Sequence, residues 1–594
     1  MADLTAGTTL ITPNVQQSDT RHMAVLIAFC GAVVFALIQV TTYAPDGFPS
    51  NDDILRLVHA RDLLAGQGWY DPVQYRLGLA EGTVMHWSKL IDAPIAALVL
   101  VGGETLAASA WPLLLAFFAL SGIAYGAIKL GGNAVALPAG IIGVAALWSI
   151  GTFSVGAFDH HNVQAVLLIW SAALLIAGNA PERDAALSAI MCALMLAIGM
   201  ETLPYVAVIG LWVAGAFAIG GLPRRVATAF GGGLVVALVA LFPTLVPPSS
   251  WLSRACDAFS SFHVTMGIIG GAGLFLAGQP TNRKAQLGVL GITGLVGVVA
   301  VVALFPHCLT NPLADLPPLL RDFWLEGVIE TRSAFDIAQS DPFSLLAFFG
   351  MSIAAFIVTC LACFRRYNRA DAWLFIILLA TAISVTIWQQ RGFMFAAVLA
   401  TIPLSVAVTK SRARYHNGKQ SSALLMMAAL WIVSINIVWF ATSAQLAKAF
   451  SNAPTLQEQI AKADPRDFCY DANLYGALAD EPEGVVLSST NVGPMILAHT
   501  QHRAIAGPYH RNIDGNMLLI ETMLGAPSGA RAALAAKGVT HIADCVNGPD
   551  ARDFKNAAPN GFQAQLHQNH KRFDWLELLP ENADTPLRIF RVID

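Results

Sequence analysis

The sequence predicts an α-helical polytopic membrane protein of about thirteen transmembrane helices, followed by a C-terminal α/β domain outside the membrane. Only 12% of its 594 residues are charged, about half the share found in ordinary soluble proteins. Hydrophobic residues make up 55%, the mean hydropathy is +0.58, and the apolar residues fall in runs of about 20, the length that crosses a bilayer as helix. The formal net charge of −4 provides no basic field, so no nucleic-acid partner is expected.

The apolar runs follow one another through residues 1–443, which we predict to be the membrane domain. The first run, 23–43, is too long for a cleaved signal core and lacks a convincing cleavage site, so it is expected to remain as the first span. The other predicted spans are 104–127, 133–152, 163–179, 186–200, 204–221, 227–247, 262–278, 286–305, 344–363, 372–388, 392–409 and 422–443.

Positive charge predicts the orientation. The short loops that follow the even-numbered spans carry most lysines and arginines, which mark the cytoplasmic face. The large polar segments 44–92 and 306–343 and the tail 444–594 then all lie on the outer face, and the N-terminus is cytoplasmic. The cytoplasmic charges are Lys129, Arg183, Arg224, Arg225, Arg283, Lys284, Arg365, Arg366, Arg369, Lys410, Arg412, Arg414 and Lys419.

The tail, 444–594, is predicted to form a small α/β domain. Apolar runs at 484–487, 504–506 and 539–542 alternate with helix-like stretches at 517–524 and 528–536, as in mixed folds. Cys469 and Cys545 lie within this polar tail, and the sequence leaves open whether they pair. Most other cysteines lie in or beside apolar runs, where a buried thiol behaves as a small hydrophobe.

Two adjacent carboxylates, Asp52 and Asp53, begin the first outer loop just beyond span 1. A catalytic base would be well placed there, at the membrane surface. The alternative is that these acids solvate the start of the loop or cap the helix suggested by residues 54–64. We favour the catalytic interpretation.

The turn between spans 3 and 4 contains Asp-His-His-Asn at 159–162. Ionisable groups are costly at the edge of the hydrocarbon, so their presence there indicates function. Asp159 and His161 offer a carboxylate and an imidazole, which suit manganese, magnesium or zinc. Glu330 in the third outer loop could complete such a metal site, or it could equally belong to a solvated helix face.

Arg391 lies between spans 11 and 12, where a guanidinium can hold a lipid phosphate by a two-pronged contact. Arg332, next to Glu330, is a second candidate for the donor phosphate. The rival explanation for Arg391 is snorkelling to the interface.

Weaker signals predict where an acceptor or other substrate would bind. They include an interfacial His-Trp pair, an acidic residue in a short outer turn, and two arginines of a partly cationic cluster in the tail that could bind an anionic saccharide. These candidates are His86, Trp87, Glu201, Arg503 and Arg511.

The order of these features resembles the GT-C superfamily of membrane glycosyltransferases, and it is most similar to the catalytic subunit of oligosaccharyltransferase. That family has an acidic motif followed by an arginine in its first outer loop, similar to residues 51–53 with Arg56. Its second motif, Asp-x-Glu or Asp-His-Glu after a Ser-Val-Ala-Gly-like stretch, is similar to residues 154–161, with His161 in place of glutamate. The resemblance implies a divalent metal ion at this motif.

The resemblance also implies roles for later residues. A glutamate of the family's large fifth outer loop reaches the active site, as Glu330 would, and an arginine late in the membrane domain meets the donor phosphate, as Arg391 would. The family's Trp-Trp-Asp-Tyr-Gly motif, which recognises the acceptor sequon, is missing, since residues 488–496 are Ser-Ser-Thr-Asn-Val-Gly-Pro-Met-Ile. We therefore expect an acceptor other than an Asn-x-Ser/Thr peptide.

The predicted function is glycosyl transfer, with inversion, from a polyprenyl-phosphate or polyprenyl-diphosphate sugar to a glycan, lipid or protein acceptor on the outer face. Manganese or magnesium is the expected cofactor, and the lipid bilayer is the expected surrounding. The alternative is a transporter or flippase of lipid-linked saccharide, which should carry charges deeper within the spans. The composition suggests a bacterial inner membrane, with the tail in the periplasm.

Overall fold

A computed structural model describes residues 17–42, 50–176, 181–310, 313–364, 369–450 and 469–593. Its helices are α1 Gln17–Thr42, α2 Asn51–Leu64, α3 Lys89–Gly131, α4 Ala136–Ile150, α5 His161–Leu175, α6 Glu182–Ile198, α7 Leu203–Ala218, α8 Arg224–Leu245, α9 Ser261–Ala277, α10 Arg283–Leu304, α11 Pro318–Phe323, α12 Ala334–Ser340, α13 Ser344–Phe364, α14 Arg369–Trp388, α15 Phe393–Gly418, α16 Ser421–Ser434, α17 Asn436–Phe450, α18 Gly476–Ala479, α19 Gly493–His499, α20 Ile513–Leu524, α21 Pro527–Ala535, α22 Pro549–Ala557 and α23 Phe562–Asn569.

Every predicted span overlaps one of these helices. Within the described residues, nine helices are long and apolar enough to cross a membrane, and the bent pair α16 and α17 brings the number to ten. Helices α5 and α9 are apolar but shorter. The protein is thus an integral membrane protein by its helices, and the total of thirteen crossings stays a prediction.

Two predicted spans differ in shape from the helices observed. The span 104–127 is the second part of the 43-residue helix α3, which is broken at Gly102 and Gly103, the latter with φ +76°, a backbone conformation that favours glycine. The last span is two helices that meet at 80°. At that bend the Asn436 amide donates to Ser149 Oγ of α4 at 3.0 Å, so the bend is held against a neighbouring helix.

Small residues let the membrane helices approach closely. A Cβ at Gly231 of α8 would lie 2.3 Å from the carbonyl oxygen of Gly271 in α9, and one at Gly267 would meet Leu238. Gly267 and Gly271 therefore face α8, as expected of a helix-packing pair.

The tail contains a five-stranded mixed sheet of order β4-β3-β5-β7-β6. Its strands are β3 Val485–Ser488, β4 Arg503–Ala504, β5 Val539–Cys545, β6 Leu576–Leu578 and β7 Leu587–Val592, and the first outer loop holds the short pair β1 Val73–Gln74 and β2 Thr83–Val84. Strand β3 runs parallel to β4 and β5, whereas β7 is antiparallel to β5 and β6. The predicted helical and sheet character of the tail is confirmed.

Two disulfides close the outer segments. Cys469 pairs with Cys545, which answers the question that the sequence left open. The second bond, Cys256–Cys308, was not predicted, and it joins the loop between α8 and α9 to the segment after α10.

The first outer loop is joined to the tail by backbone hydrogen bonds. Ala504 donates to the carbonyl of Arg76, and Gly78 donates to the carbonyl of Ala504, both at 2.8 Å. The Arg76 guanidinium donates to the carbonyls of Leu497 and Thr500 at 2.7 and 2.9 Å, at the C-terminal end of α19, where carbonyls lack helical partners. The loop thus extends the edge of the sheet and fixes the tail above the membrane domain.

Two arginine–carboxylate pairs connect α2 to α3. Arg56 Nη1 lies 2.8 Å from Asp92 Oδ1, and these side chains are 0% and 1% exposed. Arg61 Nε lies 2.6 Å from Glu104 Oε1, with side chains 35% and 41% exposed. Arg61 also donates to Glu104 Oε2 at 2.8 Å, so the exposed pair has two hydrogen bonds and the buried pair has one.

The difference in exposure predicts unequal costs of removing each carboxylate. In Asp92→Asn the buried Arg56 loses its counter-charge, and we expect the free energy of unfolding to fall by about 3–5 kcal/mol. Glu104→Gln serves as the matched control and should cost about 0–1 kcal/mol. The midpoint of thermal unfolding of the purified protein, followed by tryptophan fluorescence, measures both, and equal shifts would contradict the argument.

Candidate active site

The two predicted carboxylates of the first outer loop have different surroundings. Ser50 caps helix α2, and its hydroxyl donates to Asp53 Oδ2 at 2.7 Å. Asp53 Oδ1 accepts the backbone amides of Phe158 and Asp159, each at 2.7 Å. Among the described residues, Asp52 has no hydrogen bond or ion pair. Asp53 therefore holds the second motif in place, and Asp52 is the carboxylate that faces the site.

The second motif is a tight turn between α4 and α5. His160 Nδ1 lies 2.5 Å from Asp159 Oδ1, and His161 Nε2 lies 3.3 Å from Asp159 Oδ2. On its other side, the ring of His161 contacts Gln164 Oε1 at 3.2 Å. Asp159, His160 and His161 each offer a ligand-type atom within 4.8 Å of the others, and both ring nitrogens of His160 are engaged by Asp159 and Glu201.

Glu201, predicted to bind substrate, lies at the centre of the site. Its Oε2 is 3.5 Å from His160 Nε2 and accepts the Gln164 amide at 3.1 Å. Its Oε1 is 3.6 Å from Arg391 Nη1. Glu201 thus connects the imidazole cluster to the predicted phosphate-binding arginine.

The third outer loop reaches the same place. The backbone amide of Gln390 donates to the carbonyl of Arg332 at 2.9 Å, which fixes residues 329–332 beside Arg391. Glu330 is close enough for its charge to raise the pKa of Asp52. The structure therefore brings together Asp52, Asp159, His161, Glu201, Glu330, Arg332 and Arg391 from five segments of the chain.

Burial and excess negative charge perturb these groups. Burial, followed by the charges of Asp159 and Glu330, raises the pKa of Asp52 well above its usual range. Burial and the Asp159 charge raise the pKa of Asp53 to about 7. Burial disfavours the charged imidazole of His160, yet the neighbouring Asp159 and Glu201 raise its pKa to about 10. Carboxylates outnumber cations here, an arrangement that favours binding of a positive ion.

The donor set fits a divalent cation. Carboxylate oxygens of Asp52 and Asp159 and the imidazole of His161 suit manganese, magnesium or zinc, and Gln164 contacts the other ring nitrogen of His161, as outer partners of metal ligands do. Glu330 adds a further carboxylate nearby.

Tyr470, Asn491 and Tyr509 of the tail contact Asn51, the residue before Asp52, and they form a surface that we name the acceptor wall. Asn51 donates to Asn491 Oδ1 at 2.8 Å and to the Tyr470 hydroxyl at 3.3 Å, and the Tyr509 hydroxyl donates to the carbonyl of Asn51 at 3.3 Å. Burial is the main cause that raises the pKa of Tyr470 and of Tyr509, and the negative charge of Asp52 adds to it. Neither tyrosine was predicted, because no motif in the sequence links them to residue 51.

Four predicted acceptor-binding residues lie around this wall. Trp87 packs beneath the Arg56 guanidinium at 4.2 Å and edge-on to Tyr509 at 5.4 Å between centroids. The rings of His86 and His510 are 4.7 Å apart. Arg503 donates to the carbonyl of Leu79 at 2.6 Å.

Arg511 makes two 2.9 Å hydrogen bonds to Asp257. Its guanidinium, like that of Arg503, is thus engaged by the protein in holding the tail.

The fold is similar to that of solved oligosaccharyltransferases. The archaeal oligosaccharyltransferase AglB from Archaeoglobus fulgidus, in complex with an inhibitory peptide and a dolichol-phosphate, matches with TM-score 0.62 and 14% identity over 90% of this chain and 72% of that chain. The Archaeoglobus fulgidus enzyme with zinc and sulfate matches with TM-score 0.61 and 14% identity, over 92% and 70%. The same enzyme tethered to an acceptor peptide containing the NVT sequon matches with TM-score 0.58 and 14% identity, over 90% and 71%.

The chain has a fold similar to that of the oligosaccharyltransferases. The predicted resemblance is confirmed at the level of the fold. No protein-family model matches the sequence, and no curated protein matches it.

The two adjacent acids are expected to respond differently to substitution. Asp53→Ala leaves the amides of Phe158 and Asp159 without their acceptor, at about 1–3 kcal/mol for each buried group left unpaired, so the unfolding midpoint should fall. Asp52→Asn has the same shape and should keep the midpoint while weakening Mn²⁺ binding, measured by the EPR signal of free Mn²⁺. The reverse pattern would show that the two roles are exchanged.

Proposed function

We propose that this protein is an inverting glycosyltransferase that uses a polyprenyl-phosphate or polyprenyl-diphosphate sugar on the outer face of the membrane. The observation that carries the proposal is the convergence of Asp52, the Asp159 turn and Arg391 at the outer ends of the membrane helices, on an oligosaccharyltransferase fold. A lipid-linked donor would reach this edge directly from the bilayer. The predicted location in a bacterial inner membrane, with the tail in the periplasm, belongs to this proposal.

Asp52 is the base in this mechanism. Its carboxylate takes the proton of the acceptor as the acceptor atom forms its bond to the anomeric carbon. The bond from that carbon to the phosphate oxygen breaks on the opposite face, which inverts the anomeric configuration and releases polyprenyl phosphate or diphosphate. The absence of a hydrogen-bond partner for Asp52 among the described residues leaves its oxygens available for this proton.

Arg391 binds the departing phosphate. Its side chain is 28% exposed, and Gln389 Oε1 accepts its Nε at 2.9 Å while Glu201 lies beside its Nη1. These contacts hold the guanidinium in one orientation, which stabilises charge that develops on the leaving oxygen. Arg332, whose carbonyl accepts the Gln390 amide, would be a second cation at the same end.

Asp52, Asp159 and His161, with Glu330, would hold a manganese or magnesium ion, which when bound supplies positive charge against the leaving phosphate. The solved relative of the same fold was crystallised with zinc. His160 keeps Asp159 ionised and oriented toward that position.

The acceptor is a glycan, a lipid or a protein recognised without a sequon. Asn491, which lies where the family's sequon-binding motif would be, bonds to Asn51. The wall therefore presents neutral amide and phenol groups to an acceptor, of which Asn51 Oδ1 is buried without a hydrogen-bond donor among the described residues.

Transfer by the purified protein in nanodiscs tests the proposal. With an extract of native polyprenyl-linked sugars, we expect release of polyprenyl phosphate or diphosphate, suppressed by chelator and by Asp159→Ala. Asp52→Asn should lower the rate by about 10²–10⁴-fold. Glu330→Gln should also be slow, and Glu326→Gln, in the same exposed loop, serves as its matched control.

The alternative outcomes are distinct. Release that withstands chelation would keep the transferase and remove the metal from its mechanism. Movement of lipid-linked saccharide across liposomes, without release from any donor in the extract, would establish the flippase instead.

A further inference from the structure

A second group of ligand-type side chains lies at the acceptor wall and shares no residue with the Asp159 turn. His86 comes from the first outer loop, Asp257 from the loop between α8 and α9, and His510 from the tail just before α20. Their ligand atoms all lie within 4.8 Å of one another. Three segments that are distant in the sequence thus converge on one point.

The spacing of two of these atoms suits a shared cation. His510 Nε2 lies 2.9 Å from Asp257 Oδ2. Two ligands of a tetrahedral ion, each about 2.1 Å from it, are about 3.4 Å apart. The present hydrogen-bond distance therefore permits both atoms to bind one ion with little movement.

The third ligand has a nitrogen without a partner. His86 Nδ1 is buried and has no hydrogen-bond partner among the described residues. An imidazole binds metal through a ring nitrogen, and this ring has one that no described group occupies.

Asp257 is prepared as a ligand by its surroundings. Arg511 donates one hydrogen bond to each oxygen of its carboxylate, which leaves a further lone pair on each oxygen. The neighbouring residue Cys256 is bonded to Cys308, and this bond restrains the loop that carries Asp257. Outer partners of this kind orient the carboxylates of metal sites.

We propose that His86, Asp257 and His510 form a second metal site, for a borderline divalent ion of the zinc class, that fastens the tail to the membrane domain. Two imidazoles and one carboxylate are a ligand set that such ions prefer over magnesium or calcium. The group shares no ligand with the Asp159 turn, and its existence does not depend on the proposed glycosyl transfer.

The proposed metal site is connected to the acceptor wall through the residues next to two of its ligands. His86 precedes Trp87, and His510 follows Tyr509, and these two aromatic rings contact each other. A bound ion would fix the relative positions of Trp87 and Tyr509. Metal binding should therefore restrain Tyr509 at the acceptor wall.

Metal content of the full-length protein tests the proposal. Asp159→Ala combined with His161→Ala removes the first candidate site, and after chelator treatment and incubation with Zn²⁺ this background should retain one ion per chain by mass spectrometry. Zn²⁺ should raise its unfolding midpoint, and Co²⁺ should give an absorption band of a histidine-ligated ion.

A third substitution in this background locates the ion. His510→Gln keeps a donor for Asp257 and removes the imidazole, so the ion, the Zn²⁺-induced shift and the Co²⁺ band should all be lost while the metal-free midpoint is retained. His86→Ala should give the same loss of ion. His416→Ala, an exposed histidine at the end of α15, is the matched control and should keep the ion.

Two results would overturn the proposal. One is a background protein that binds no Zn²⁺ at micromolar concentration. The other is a His510→Gln variant that retains the ion and the Zn²⁺-induced shift.

Discussion

A carboxylate that accepts two backbone amides inside a protein cannot move without leaving several polar groups unpaired, and each such group is costly to bury. Asp53 is in that position, since it joins the start of α2 to Phe158 and Asp159. The two acidic motifs are about a hundred residues apart in sequence, and this contact sets their distance. Asp52 is the preceding residue of the same helical turn, and it lies close enough to Asp159 for that charge to raise its pKa.

Charge balance explains the rest of the site. Asp52, Asp159 and Glu201, together with the exposed Glu330, would repel one another without compensation. His160, between Asp159 and Glu201, and Arg391, beside Glu201, supply part of it. The remaining negative charge lies on the side of Asp52 and Glu330, where a cation and a phosphate can share the space. In a purely structural ion-pair network, by contrast, positive side chains of the protein would neutralise all of the negative charge.

The sequence predicted the features that depend on local composition. Apolar runs located the helices, and the acids of residues 52–53 and 159–161 stood out because charge is rare in such surroundings. The contributions of Tyr470, Tyr509 and Asp257 were not predictable, since each is an ordinary loop residue until folding brings it to a partner far away in the chain. Glu201 was recognised, but its contact with His160 depends on how α5 and α6 pack.

The outer loops are held at specific points, and these points determine what can move. The first loop is part of the tail's sheet through residues 76–78. In the third loop, Leu320 of α11 is buried in the tail's core, and Arg332 is bonded to Gln390. Between these two anchors, Glu326 and Glu330 lie in exposed 3₁₀ turns. The tail therefore cannot swing away as a lid without breaking sheet hydrogen bonds, whereas the segment carrying Glu330 can shift while both of its ends stay bound.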